Sequence, residues 1–499
     1  MIEEHYQTFV EDEVVSSPLS QKSAISGGIH GEHVYAGAEL DPISRYWHTA
    51  PYATNNSRTK NLLRLTQDLF EWSYGYRAPG TELQRFTRRA PSAGAMYPTE
   101  LFIYLPPSRS VESKNNQGTF LIYSFENHCF FPVDSKTAAP QSWRELDPAA
   151  QDNFTCKIIV SSFFWRTVRR YGVRGYRYSL LDASAVISHL AKLMQLQGLS
   201  LKIAEDWCAR SLSAALELGK NEGIVTVFNL TSDASFQPKL STAPYPDFIP
   251  HSIAPSVEIH PRLSEMLEKV SNFHIDAAET MLTTKCNQLA NFINLLSVSN
   301  NNTPFCSLLQ ERYSASRFNR EPIALDTLRN ILRTTATLLQ LENNQAVPLA
   351  IYFLIQHTYE AAPGIYRLNI DATNTPQFQL VKSASLMAEL QQACQGQHIV
   401  GNASVASIIC ANKLALSSAN SAVYRETVLR AGLLDIELQH QATMLNVDNT
   451  CIGGFEDSKV AQVVGNSALT PIVIHLFGMG SQGNKADALG TAMCESQTW

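Results

Sequence analysis

"YRYSLLDASAVISHLAKLMQLQGL", residues 176–199, and "YRETVLRAGLLDIELQHQATMLNV", residues 424–447, begin 248 positions apart. In the first, Leu180, Ala183, Ile187, Leu190 and Met194 recur at steps of three and four, the period of an amphipathic or buried helix. The same offset pairs "LFIYL" (Leu101 to Leu105) with "LAIYF" (Leu349 to Phe353). It also pairs Ile224-Val225 of "GIVTVF" with Ile472-Val473 of "PIVIHL". Three segments in one register predict a duplicated domain.

Bulk properties agree with two folded halves. A chain of 499 residues with 44% hydrophobic content can bury more than one core, at roughly 150 to 250 residues per domain. Between residues 232 and 261 lie Pro238, Pro244, Pro246, Pro250, Pro255 and Pro261, a density incompatible with a helix or a central strand. We therefore expect a tail or flap over 1–36, a first domain over 37–235, a Pro-rich linker over 236–261 and a second domain over 262–499. The net charge of -6 points away from nucleic acid as a partner. The first twenty residues are acidic and lack an apolar signal region, and no run of about 18 apolar residues occurs, so the expectation is a cytoplasmic protein without a membrane partner. Nine scattered cysteines without a CxxC pair suggest neither a disulfide framework nor a metal site.

The copies differ where chemistry should reside. "RRAPSAGAMYPTELFIYL", residues 88–105, places a small turn, Pro91-Ser92-Ala93-Gly94, directly before an apolar run that reads as an interior strand. The constant offset sets "LQLE" (Leu339 to Glu342) opposite that turn. Conversely, "ERYSASRF" (Glu311 to Phe318) and "CIGGF" (Cys451 to Phe455) belong to the second copy, and the first has "KIAEDW" where the glycine pair would fall. Arg312, Ser314 and Arg317 carry groups suited to a phosphate. Gly453 and Gly454 would let backbone amides approach a ring.

Together these segments resemble the nitroreductase superfamily, in the form of its SagB-type azoline dehydrogenases. "RAPSAGAMYPTELFIYL" is similar to the flavin turn, and "RYGVRGYRYSLLDAS" to the segment with a catalytic Lys-Tyr pair. "RYSASRF" resembles the R-x-S phosphate motif, and "CIGGF" the loop beside the flavin. The likeness spans most of 45–235 and 300–482. It implies an α+β chain of two fused αβα domains forming an intramolecular pseudodimer, with FMN as cofactor. One composite site would draw Pro91, Ser92, Ala93 and Gly94 from the first half and Arg312, Ser314, Arg317, Gly453, Gly454 and Lys485 from the second. The mirror site would be dead. The turn would be small so that its backbone and the Ser92 hydroxyl can meet the flavin edge.

Tyr171 and Arg170 stand where the family has its catalytic pair. Arginine does not serve as a base, so Tyr171 is the candidate, its phenol expected to be lowered by Arg166, Arg169 and Arg174. The arginines are otherwise expected at the surface, or holding an anionic substrate. His48 in "RYWHTAPY" is a weak further candidate. The implied reaction is dehydrogenation or oxidation of an azoline or a related C–N or C–C bond in a peptide or carrier-protein-bound intermediate, with oxygen reoxidising the flavin. An NAD(P)H-dependent flavin reductase or nitroreductase and a flavin-free scaffold are the alternatives. Further association into a homodimer is left open.

Overall fold

The computed structural model describes residues 50–77, 87–107, 118–144, 153–233, short pieces at 269–274 and 288–296, then 302–465 and 471–482, apart from isolated positions within these stretches. The tail 1–36, His48, the linker 236–261 and Lys485 lie outside the described residues. The chain divides into two compact units after Gln310.

The first unit is built on a six-stranded antiparallel sheet in the order β3-β2-β1-β4-β6-β5. Its strands are β1 Thr99–Leu105, β2 Thr119–Ser124, β3 Cys129–Pro132, β4 Asn153–Phe163, β5 Leu201–Ile203 and β6 Glu222–Asp233. All seven residues of β1 are buried, as an unbroken apolar run requires of a strand covered on both faces. One face carries Phe102, Tyr104, Phe120, Ile122, Trp143, Ile159 and Val227 in a single apolar cluster. Helices α1 (Ser57–Tyr74), α2 (Trp165–Tyr171) and α3 (Gly175–Leu196) complete the parts that matter for function. Asn56 caps α1 by accepting from the Thr59 amide. Every residue of α3 from Gly175 to Met194 is buried, so the periodic pattern marks a buried helix rather than a half-exposed one.

The second unit repeats the plan. Helices α4 (Leu325–Arg333) and α5 (Thr335–Glu342) lead into β7 Leu349–Ile355, β8 Gly364–Ile370, β9 Pro376–Ser383 and β10 Val405–Ala411. The long buried helix α6 (Ser421–Met444) follows, then β11 Asp448–Cys451, α7 (Asp457–Val464) and β12 Ile472–Gly480. The sheet order, β9-β8-β7-β10-β12-β11, is that of the first unit with six added to each label. The two sheets share a bulge at an equivalent place: the register shifts between Val160 and Ser161 in β4, and between Ile409 and Cys410 in β10, while the second sheet has a further shift between Ile365 and Tyr366 in β8. The fold is α+β, in two copies.

The bulges correct the register. Val225 and Ile474 are the residues skipped opposite them, which sets β6 and β12 at 474 − 225 = 249. Val160 pairs with Leu101, and Ile409 with Ile351, which sets β1 and β7 at 351 − 101 = 250. The constant offset of 248 therefore misplaces those strands by one and two residues. Strands buried on both faces have no polar alternation to fix their register by eye.

A larger correction concerns "LQLE". It is the last stretch of α5, not the counterpart of the Pro91–Gly94 turn. The Thr99 amide donates to Tyr74 Oη (3.3 Å), and the Leu349 amide donates to Glu342 Oε2 (2.8 Å), which identifies Tyr74 and Glu342 as equivalent helix ends. The connection between helix and strand runs over 24 residues in the first unit (75–98) and six in the second (343–348). The second unit is 18 residues shorter there.

Candidate functional site

In the first unit the long connection folds back on α2 and α3. Ser92 opens a single 3-10 turn over Ala93–Ala95. Its hydroxyl donates to Asp182 Oδ2 (2.6 Å) and accepts from the Tyr97 amide (2.8 Å), while Asp182 Oδ1 accepts from the Ala93 amide (3.1 Å). Asp182 lies on α3, so a buried carboxylate holds the turn from below. The Ser92 hydroxyl is thereby committed within the turn, contrary to the expectation that it faces a flavin edge. The Ala95 amide donates to the Ser92 carbonyl, and the Met96 amide to the Ala93 carbonyl. The Gly94 N–H has no acceptor among the described residues, and Gly94 is exposed.

Gly94 adopts φ +60°, the left-handed region that glycine enters without steric cost. A Cβ there would stand 2.6 Å from Tyr171 Oη and 3.1 Å from Arg170 Cζ. The two motifs, 77 positions apart in the sequence, thus meet at one point: the Tyr171 hydroxyl rests against the Gly94 backbone. The turn is small because the α2 side chains approach it this closely.

Tyr171 does not have the lowered phenol pKa expected of a base. Burial pushes it up to about 12; Arg170 pulls down, while Tyr178 and Asp182 push further up. Desolvation of the phenolate outweighs one neighbouring guanidinium. The other arginines are engaged elsewhere rather than turned to solvent. Arg166 pairs with Glu100 (2.7 Å) and donates to the Tyr97 carbonyl (2.6 Å). Arg169 stacks over Trp165 at 4.4 Å, and Arg174 is buried. Arg170 alone is exposed, its guanidinium 5.6 Å from the Tyr171 ring centre. The Tyr178 ring meets that of Tyr171 edge-on at 4.9 Å.

Asp182 and Arg88 are the residues that sequence reasoning missed. Arg88 is buried among Tyr74, Tyr76 and Phe125, at 4.5, 4.8 and 4.7 Å from their ring centres, and its amide donates to Tyr97 Oη (3.1 Å). It fastens the start of the turn to the core. An acid inside an otherwise apolar repeat was the available signal for Asp182.

In the second unit, the chain after Glu311 is laced to the end of the sheet. Tyr313 Oη donates to Asp448 Oδ1 (2.6 Å), the Ala315 amide donates to the Asn449 carbonyl (2.9 Å), and the Ser316 amide donates to Gln482 Oε1 (3.3 Å). This presents Ser314 at the surface, with Arg312 buried and Arg317 half-buried. Gly453 and Gly454 connect β11 to α7, and the Gly454 carbonyl accepts from Gln397 Nε2 (2.7 Å). Both glycines are half-buried.

No known protein family matches the chain, and no curated protein matches it. Among solved structures, one from Anabaena variabilis ATCC 29413 described as a "putative nitroreductase" superposes with a TM-score of 0.63 at 19% identity, over 96% of this chain and 99% of that one. The chain has a nitroreductase fold. The likeness covers both units and, at this identity, speaks for the fold alone. Weaker superpositions include the E. coli microcin synthetase McbBCD complex with truncated pro-MccB17 bound (TM-score 0.27, 17% identity, 45% of this chain and 86% of that one). Another is YdfN from Bacillus subtilis (TM-score 0.27, 15% identity, 37% of this chain and 92% of that one). Among the described residues no helix is long and apolar enough to cross a membrane.

Proposed function

We propose that the chain is an FMN-dependent oxidoreductase. The observation that carries this reading is the contact between Gly94 and Tyr171: an exposed glycine whose N–H has no acceptor among the described residues, next to a phenol that keeps its proton at neutral pH. The donor chemistry fits a flavin nucleotide. An N–H is what the ring edge needs where negative charge gathers on reduction, and a guanidinium with a hydroxyl, at Arg312 and Ser314, suits its phosphate. Arg317, Gly453 and Gly454 are proposed in support, and Lys485 by resemblance only.

When bound, FMN accepts or delivers a hydride. The chain's own residues do the rest. Asp182 and Arg166 hold the turn that carries Gly94, and Tyr171 stations a proton at Oη beside it. Arg170 places a positive charge at the rim, able to steady an anionic substrate. By resemblance, we assign dehydrogenation of an azoline or a related C–N or C–C bond in a peptide or carrier-bound intermediate. The raised phenol favours a second reading, a reductase using NAD(P)H, because a protonated Tyr171 is ready to give a proton to a substrate that takes up electrons.

Purification and flavin analysis test the proposal. The protein, as isolated or after mixing with FMN, is expected to hold flavin, and Arg312→Ala to release it. A chain that stays colourless with excess FMN defeats the reading. Anaerobic NAD(P)H separates the two activities, since rapid bleaching marks the reductase and lasting colour the dehydrogenase. Tyr171→Phe should keep the flavin and lose turnover.

A further inference from the structure

We propose that Asp435, Cys451 and His475 of the second unit form a zinc site. Asp435 lies midway along α6, Cys451 ends β11, and His475 stands on β12, the strand that pairs with β11. Cys451 pairs with Phe477, and His475, two residues along, occupies the same face of β12. One donor atom from each of the three residues lies within 4.8 Å of the others. His475 Nε2 is 3.2 Å from Asp435 Oδ2, and Cys451 Sγ is 3.8 Å from that oxygen.

These separations are the edges of a coordination tetrahedron. With Zn–N and Zn–O bonds near 2.0–2.1 Å and Zn–S near 2.3 Å, tetrahedral angles require N···O of about 3.3 Å and S···O of about 3.5 Å. Those two edges fit within about 0.3 Å, and the Cys451 and His475 donor atoms, within 4.8 Å of each other, close to about 3.5 Å when the ion binds. Gln439, one helical turn beyond Asp435, places its amide nitrogen 2.5 Å from Asp435 Oδ2 and 3.2 Å from Cys451 Sγ. At 2.5 Å from Oδ2 that amide stands nearer than the spacing of about 3.3 Å between tetrahedral ligands, so it steadies Asp435 and the fourth position falls to water.

A hydrogen-bonded network without metal is the competing reading, and the distribution of bonds tells against it. Three groups crowd onto Asp435 Oδ2, while Asp435 Oδ1 and His475 Nδ1 are buried without a partner among the described residues. A network satisfied by protein alone spreads its donors over both oxygens. Thiolate, imidazole and carboxylate together suit Zn²⁺, with the thiol proton released on binding. The ion would pin α6 to β11 and β12 immediately ahead of Gly453-Gly454. The ligand spacing contains no short motif, which is why the sequence suggested no metal.

The site is independent of the flavin reading, and its test needs no turnover. Full-length protein stripped with a chelator is titrated with Co²⁺ and then Zn²⁺. We expect one Co²⁺ per chain with a thiolate-to-cobalt charge-transfer band, displaced by Zn²⁺. Cys451→Ser should abolish the band and weaken Zn²⁺ binding about 100-fold or more, a ligand counting for at least as much as an outer-shell partner. Absence of stoichiometric binding, or an unchanged band and affinity in Cys451→Ser, overturns the proposal. Should that variant not fold, alkylation of the wild type decides: Zn²⁺ is expected to shield Cys451 from iodoacetamide in peptide mass spectra, and unshielded labelling refutes the site.

Discussion

Gly94→Ala tests the contact at the centre of the candidate site. Two costs combine. An alanine held at φ +60° costs about 1–2 kcal/mol from the clash of its own Cβ with the backbone. The new methyl would also stand 2.6 Å from Tyr171 Oη, roughly 1 Å inside comfortable van der Waals separation. Relieving that overlap by moving a half-buried ring adds about 1–2 kcal/mol. The second cost belongs to the pair, and Tyr171→Phe removes the offending oxygen. In a double-mutant cycle, the Gly94→Ala penalty should fall by about 1–2 kcal/mol in the Tyr171→Phe background, a coupling within the range of contacting residues. Urea unfolding of the four proteins supplies the numbers, read from the transition that the Gly94 variant shifts. Additivity within about 0.5 kcal/mol would show that the two side chains do not meet.

Other perturbations reach the supports of the site and the second unit. Asp182→Ala removes the acceptor of both the Ser92 hydroxyl and the Ala93 amide; it should cost about 1.5–3 kcal/mol and raise the exchange rate of the Ala93 amide, measured by hydrogen exchange. A Tyr171 phenol raised to about 12 stabilises the fold fully below the unfolded value near 10 and loses that contribution as pH rises through the folded value. Stability should therefore decline between about pH 10 and 12, less steeply in Tyr171→Phe, and equal slopes would remove the assignment. Glu342 and Arg430 form a buried ion pair with only 2% of either side chain exposed. Arg430→Met alone should cost about 3–5 kcal/mol in chemical denaturation, whereas replacing both partners with apolar residues should cost less, about 1–3 kcal/mol, because the Leu349 amide then loses its acceptor.

Much of the architecture could be read before any coordinates. The unbroken run Leu101 to Leu105 is a fully buried strand, and the periodic segment at 176 lies in the long central helix of its unit, as its partner at 424 does. Local pattern suffices for such elements because burial of a whole face leaves a trace in every turn or pleat. Insertions are another matter. The 18-residue difference between the two helix-to-strand connections falls where neither copy has a periodic signal, so an ungapped offset set the end of a helix against a turn. Side-chain meetings across long sequence separations were equally hidden: Gly94 with Tyr171, Asp182 under Ser92, and the convergence of Asp435, Cys451 and His475. The Tyr171 shift runs opposite to the expectation because burial, its largest cause, leaves no mark in the sequence, whereas the arginines nearby do.

One pair of equivalent positions shows how the two halves of such a chain drift apart. The first amide of the central strand is met by a neutral phenol, Tyr74, in one half and by a carboxylate, Glu342, in the other. The neutral anchor carries no charge to balance, but the acidic one is paired with a guanidinium, and removing either leaves the other's charge uncompensated in a dry interior. A change at position 342 is therefore coupled to position 430, a constraint that position 74 does not carry.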